Sequence, residues 1–564
     1  MSLPSLNLPT QDLSSKPRPY IRSKDLLSWA EELPYADPAA SAAKFIDRVE
    51  LLNRSMYPDV ERQELLLTLD PILAQLAQNL RYTLNNFTVP LDSRMQIHAS
   101  LLRKCYEAMA SGYKIIFSEH AMDRRPGLVN ETLMLESMYY AVHYLSKQLH
   151  TAYTLYNPEP KGVWAEIHQI YSFALLHDYQ YEVIDDQVTN SNSATENTLD
   201  KLYKQILLLV TTNPYHLMQF EIEEITPLLA EWTEHCQLLP ADALSTVNEY
   251  VVDLGSDRGP QFIAPDINTT FIDPRIIDLA DVNKQLDSHL KTVIGNSTAD
   301  FELERPPLQE WQMRDTLLRL SDAWKIPPLR NVPRYELNAE VLMSVGLNAT
   351  HHFISNKPQF TPAMDELRFS TSEQERSSKV FIYAYREALE KDKRYTYKGF
   401  TLNPWHQCNV SPMGIALQCS MSCHLMQARV GELVSYRFTS KKDSRWHLGV
   451  IRWLKSKPSK AADEILDIGV MNLAKKVFPV AIRRTKSIDG HSPYHRAMFI
   501  PNQVSLNQTR SLLIPAYTFD VGAELTMTIN ETVLKIKLTR LLRTTRAFAQ
   551  FDFSLQDSDA HLPE

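Results

Sequence analysis

Through roughly the first 245 residues, apolar side chains recur with the 3.6-residue period of a helix. In "LDPILAQLAQNL", Leu69, Ile72, Leu73, Leu76 and Leu80 share one helical face, and around "LDKLYKQILLLV" Leu199, Leu202, Ile206 and Leu209 repeat the arrangement. "NPEPKG" (157–162) reads as a turn between helices, and the amphipathic "VWAEIHQIYSFALLHDY" follows it. This half is therefore expected to be a stack of helices, as a bundle or an irregular solenoid. His168 and His177 fall inside that pattern and read as exposed or core-edge histidines.

From Val251 to about Asp300 short apolar runs alternate with turn residues, which predicts a mixed connector with a strand or two. "LQEWQMRDTLLRLSDAW" (308–324) is one more amphipathic helix, stopped by "KIPP". Beyond Arg334 the period changes to short β-rich runs separated by turns: "ELNAEVLMSVGL", "FTLNPWHQCNV", "SPMGIALQC", "GELVSYRF", "HLGVIRWLK" and "EILDIGVMNL". Such an order predicts a small antiparallel barrel, which closes its own edges. Residues 351–398 read as an insertion carrying the helix "SEQERSSKVFIYAYREALEK". Further strands run on to "FAQFDFSL", as a second β module or a sheet packed on the first. The expected division is a disordered or extended leader at 1–20, a helical domain at 21–250, a mixed connector at 251–325, a barrel at 326–486 and a β module at 487–564. The fold class is multidomain α + β.

Composition sharpens this picture. The first 250 residues hold three glycines, Gly112, Gly127 and Gly162, and chains that avoid glycine so strongly are usually helical. The net charge of −8 argues against bulk electrostatic binding to DNA or RNA. The longest aliphatic run, "ILLLV" (206–210), is far short of the roughly 20 residues that span a bilayer, and the leader lacks the charged and apolar regions of a signal peptide. Five scattered cysteines make a disulfide framework improbable and point to a reducing cytosol. "CSMSCH" (419–424), with His406 and Cys408 nearby, lacks paired Cys-x-x-Cys knuckles, so no metal site is assigned.

Candidate chemistry gathers at two places. Arg330 and Arg334 stand four residues apart in "PPLRNVPRYEL", with Pro333 between them, just before the first β run. "NVSPMG" places Asn409, Ser411 and Gly414 at the junction of the next two strands: an amide, a hydroxyl and a glycine that lets a ligand near the backbone. Taken singly, each is ordinary: spaced arginines decorate helix faces, and Asn, Ser and Gly populate turns.

In this order and on these elements the two together resemble the PilZ domain family, over roughly Pro327 to Leu473. "HLGVIRWL" and "LDIGVMNL" with Gly469 resemble that family's later strands; the insertion departs from its pattern. The resemblance implies a receptor for cyclic di-GMP, with Arg330, Arg334, Asn409, Ser411 and Gly414 as the ligand-binding residues. Guanidinium groups suit that ligand, because each can pair bidentately with a phosphate or with the guanine O6/N7 edge. A helical front, an embedded PilZ match and a trailing β module also resemble, in layout, the multidomain PilZ receptors of gammaproteobacteria that act in type IV pilus function and surface attachment. That layout implies a cytoplasmic protein, recruited to the cell pole, that takes a protein partner through its helical domain and controls twitching motility or biofilm formation. The alternative is an adaptor or helical scaffold that binds no nucleotide. No nucleophile–base pair, paired-carboxylate site or metal triad stands out, so an enzyme is not expected, nor any cofactor besides the ligand.

Overall fold

The structure is a computed structural model that describes residues 6–11, 21–84, 87, 89–122, 130–185, 197–241, 249–263, 270–299, 308–325, 335–336, 338–355, 396–397, 400–411, 413–420, 428–439, 445–457, 465–474, 476–485, 492–502, 509–529 and 532–556. The chain divides into two compact units. The first comprises 1–87, 91–302 and 316–329, the second 88–90, 303–315 and 330–564.

The first unit is helical, with α1 (Ser23–Glu31), α2 (Pro38–Arg54), α3 (Asp59–Thr83), α4 (Ser93–Met122), α5 (Glu131–Thr154), α6 (Val163–His177), α7 (Leu199–Thr211) and α8 (Gln219–Trp232) in succession. Local chemistry marks the starts. Asp37 accepts from the backbone N–H groups of Ala39 and Ala40 with Pro38 at the first helical position, and the side chains of Asn130 and Thr198 cap α5 and α7. The turn before α6 ends on Gly162, whose φ of 83° is available to glycine at little cost. Helix α4 packs against α2, α3 and α5. The face predicted for 69–80 is the buried face of α3: Leu69, Leu73, Leu76 and Leu80 are all enclosed.

Aromatic rings fill much of this core. Tyr113 and Tyr140 lie 5.1 Å apart between α4 and α5, and Tyr171 stacks on Tyr203 at 3.9 Å between α6 and α7. His168 corrects the sequence reading: it is fully buried, within 2.9 Å of both the Tyr203 hydroxyl and the Arg258 carbonyl, and burial lowers its pKa to about 4. His177 is exposed, as expected. A four-stranded sheet follows, formed by β1 (Gln237–Pro240), β2 (Glu249–Asp253), β3 (Gln261–Ile263) and β4 (Pro274–Asp278) in the order β1-β4-β2-β3. The connector also holds α9 (Ala280–Ala299), a helix the sequence reading passed over, before α10 (Leu308–Lys325). Val282, Leu286 and Leu290 form a buried apolar stripe among its described side chains. Flanking turn residues had masked that short stripe.

The second unit contains two closed antiparallel barrels. The first takes β6 (Glu340–Val345), β9 (Asn403–Ser411), β10 (Gly414–Ser420), β11 (Leu433–Phe438), β12 (His447–Lys457) and β13 (Ile465–Ala474); β5 (Tyr335–Glu336) adds to β9. The ring runs β6-β9-β10-β13-β12-β11 and back to β6. Between β6 and β9 in the chain lie α11 (Leu347–Ser355) and the short pair β7 (Thr396–Tyr397) and β8 (Phe400–Thr401). The helix expected inside the insertion lies outside the described residues. Along β9, Asn403, Trp405 and Gln407 are buried and alternate with Pro404 and His406, the period of a strand with one face inward.

The second barrel consists of β14 (Phe478–Arg484), β15 (His495–Ile500), β16 (Ser511–Pro515), β17 (Glu524–Ile529), β18 (Thr532–Thr544) and β19 (Phe548–Leu555), ordered β14-β15-β16-β19-β18-β17. Its core includes Val480, Ile482, Leu512, Ile514, Met527, Leu538 and Phe551. The open choice between a module and a packed sheet thus resolves to a separate closed barrel. The expected boundary at 486 shifts to the stretch between Ala474 and Phe478, because β14 pairs with β15 and β17 and closes the second ring. A shared cluster joins the two barrels: Leu433, Leu448, Val450 and Leu473 pack with Met498, Ile500, Leu513 and Phe548. Helix α11 contributes Leu347 to it, and His351 of that helix lies with Nε2 3.2 Å from the Val480 carbonyl.

Candidate functional site

Asn409, Ser411 and Gly414 lie together at one end of the β9–β10 hairpin. Gly414 is paired with Ser411, Ile415 with Val410 and Ala416 with Asn409, after which a bulge leaves Cys408 unmatched. The Ser411 hydroxyl donates to the Gly414 carbonyl at 3.3 Å, and the Asn472 N–H donates to the Met413 carbonyl at 2.9 Å, which ties the turn to β13. The Asn472 side chain in turn accepts from the Tyr436 hydroxyl at 2.8 Å. Asn409, Val410 and Ser411 are half-buried, a placement that keeps polar groups within reach of a ligand.

Gly414 has a structural duty that the sequence reading did not assign. A Cβ there would come within 2.3 Å of the Val470 carbonyl oxygen, so the close approach of β10 and β13 demands glycine. Its missing side chain is filled by the neighbouring strand rather than kept open towards a ligand.

Arg330 and Arg334 lie outside the described residues. The chain is described again at Tyr335, where β5 pairs with the far end of β9: Tyr335 faces Val410 and Glu336 faces Asn409. Two residues beside the motifs escaped the sequence reading. Tyr335, directly after Arg334, is 62% exposed, and Met413, directly before Gly414, is equally so. Their signal was adjacency: a large apolar residue left in solvent beside a motif offers a surface to a planar ligand.

Behind the hairpin, the Cys408 thiol donates to the Gln418 side chain at 3.2 Å, and burial pushes its pKa up. Lys457 pairs with Asp467 across β12 and β13. Glu432, in the turn entering β11, has its pKa raised to about 7 by burial, against the opposing influence of Arg429. Among the described residues no group of three His, Cys, Asp or Glu could hold a metal ion, and Cys423 and His424 fall outside them. No described helix is long and apolar enough to cross a membrane.

Three family models match in order along the chain: the N-terminal domain of the cyclic-di-GMP receptor FimW over 24–242, its middle PilZ domain over 250–401, and the FimW C-terminal β-barrel domain over 480–556. Together they mark the chain as a PilZ-type cyclic-di-GMP receptor. The matches fall in the order N-terminal domain, PilZ domain, C-terminal barrel, and helices α1 to α10 precede the two barrels in the same sense. The span matched to the PilZ model contains Arg330 and Arg334 and ends before Asn409, while the barrel strands continue to Ala474. A relative, the cyclic-di-GMP receptor FimW of Pseudomonas aeruginosa, is 21% identical over 563 residues, covering 94% of this chain and 90% of its own. No solved structure matches the chain.

Proposed function

We propose that the protein is a receptor for cyclic di-GMP, and that Arg330, Arg334, Asn409, Ser411 and Gly414 form the binding locus, with Gly414 setting the turn. The observation that carries this reading is the pairing of Tyr335 with Val410. A peptide bond joins Arg334 to Tyr335, and consecutive Cα atoms lie about 3.8 Å apart. Arg334 is thus one peptide bond away from a residue paired beside the Asn-x-Ser corner, which is what one shared ligand requires. Guanidinium groups supply the phosphate and Hoogsteen contacts, while the Asn409 amide and Ser411 hydroxyl supply neutral ones.

In this reading the protein acts by binding rather than by catalysis, in the cytoplasm, with the helical unit as the surface for a protein partner. Exposed Leu27, Met56 and Val60 on or beside α1, α2 and α3 suit a docking role. The layout favours an output on type IV pilus motility or surface attachment, with recruitment to the pole as one form of it. Nucleotide binding shifts partner affinity only if the partner favours the liganded arrangement.

Isothermal titration of the full chain with cyclic di-GMP tests the core of the proposal. Saturable heat is expected, and Arg334→Ala or Arg330→Ala should weaken it by about tenfold or more, since a charge-assisted hydrogen bond contributes about 1.5–3 kcal/mol. No heat at high-micromolar ligand would refute the receptor reading and leave the adaptor alternative.

A further inference from the structure

The leader, expected to be disordered or extended, carries six described residues with a defined seat. In "LNLPTQ" (6–11), the Asn7 N–H donates to Glu166 Oε1 at 2.7 Å, and the Asn7 carbonyl accepts from Lys114 Nζ at 2.9 Å. Lys114 on α4 and Glu166 on α6 are themselves paired at 2.8 and 3.0 Å, and both side chains are almost wholly buried. Three residues along α4 from Lys114, Phe117 meets Phe173 edge-on at 5.1 Å, a second direct contact between the same two helices that involves no leader residue. A second hold lies one turn beyond, where the Gln11 side chain reaches Glu119, which also shares a hydrogen bond with Asp59.

The form of the contact says what it recognises. One donor and one acceptor engage the N–H and the C=O of a single residue, as the edge of a β-sheet would. The Asn7 side chain takes no part in these bonds and is exposed, whereas Leu6, Leu8 and Pro9 are half-buried. The seat thus reads main chain at one position and aliphatic bulk on either side of it, with a proline after. Its ion pair is made directly between side chains of the two helices, so the seat does not depend on a leader side chain to form. A six-residue segment with no regular structure and modest burial belongs to the least stable parts of a fold and can open without global unfolding.

We infer that the Lys114–Glu166 pair and the surrounding faces of α4 and α6 form a receptor for an extended Leu-x-Leu-Pro peptide, that residues 6–11 are its resident occupant, and that a partner protein presenting the same kind of segment displaces them. This names the class of partner for the docking role proposed above and rests on that role. Because the leader is joined covalently to the helical unit, it competes at high effective concentration, so the site answers only to a partner that is tight, abundant or multivalent.

The test uses a fluorescein-labelled peptide of residues 1–15 and a variant lacking residues 1–11. Anisotropy should show saturable binding to the variant and binding about tenfold weaker or more to the full chain, where the resident segment competes. Alanine in place of Asn7 in the peptide should be tolerated, while N-methylation of the Asn7 amide, which removes the donor to Glu166, should abolish binding. A folded variant that fails to bind the peptide, or that binds the N-methylated peptide as well as the parent, overturns the inference. Should the variant fail to fold, hydrogen exchange of residues 6–11 in the full chain is measured against rising peptide. Faster exchange supports displacement and unchanged exchange refutes it. Nucleotide binding is read by a separate titration, so failure here leaves the receptor reading standing.

Discussion

Tyr335 is paired with Val410 across the β5–β9 ladder, which places the residue following Arg334 beside the residue separating Asn409 from Ser411. Tyr335 and Val410, more than 70 positions apart in the chain, thereby meet on one ladder. Exposed there, the Tyr335 ring is available to stack on a guanine. Tyr335→Ala should weaken cyclic di-GMP by about 1 kcal/mol or more, roughly fivefold, with Tyr335→Phe close to wild type. Calorimetric titration reads the affinity, and a thermal melt should show little change because the side chain packs against little.

Gly414→Ala should damage the barrel before it damages binding. The added methyl meets the Val470 carbonyl oxygen at 2.3 Å, and β10 and β13 are paired there, so neither backbone can yield cheaply. A cost of about 1–3 kcal/mol is expected, visible as a lower denaturation midpoint. Asn409→Ala is the counterpart, with lost affinity and a retained midpoint. If the two variants behaved alike, the separation of structural glycine from ligand-binding amide would be wrong.

Acid should weaken the helical unit through His168. Its folded pKa, about 4, lies below the ordinary 6.5, so between those values the unfolded chain binds more protons and stability falls as pH falls. The loss from this group approaches about 3 kcal/mol near pH 4. His150 and His351, both lowered to about 3, add the same sign, whereas Glu119 and Glu432, raised to about 7, oppose it by losing stability as pH rises from 4.5 to 7. Chemical denaturation at pH 7 and pH 5 should therefore show a shallower pH dependence in His168→Gln than in wild type. An unchanged slope would exclude this histidine as a contributor.

Arg62→Leu should be costly chiefly through the hydrogen bonds it removes. Arg62 is wholly buried on α3, and its guanidinium donates to the Leu52 carbonyl at 3.0 Å and the Ser55 carbonyl at 2.8 Å, so it caps the end of α2. Leucine leaves both carbonyls enclosed without that donor. A loss of about 3 kcal/mol is expected from two charge-assisted bonds, read as a lower urea midpoint with an unchanged slope. A loss below about 1 kcal/mol would mean that water replaces the guanidinium.

Helices were legible along the chain because their signal is local. The stripe of Leu69, Ile72, Leu73, Leu76 and Leu80 needs no knowledge of its partner, since the i, i+3, i+4 spacing already defines a face. Where turns crowd the flanks, as around α9, the same signal fades. Strands were legible as runs, but a run does not state its neighbour. The segment 478–484 follows the first barrel directly in sequence and yet closes the second, a choice made by hydrogen bonds to residues 495–499 and 525–528. His168 looked like an edge residue because burial depends on what another helix and a distant loop supply.

Residue types and order along the chain were enough to mark the two motifs, to suggest the PilZ resemblance and to argue against bulk electrostatic binding of nucleic acid. Three further relationships had to wait for the folded chain: Tyr335 set against Val410, Gly414 pressed against the Val470 carbonyl, and Asn7 held through its main chain by Lys114 and Glu166. Each depends on backbone atoms, which every residue shares, meeting across tens or more of intervening positions. Side-chain pattern encodes which face is buried; it carries no record of which backbone will lie opposite.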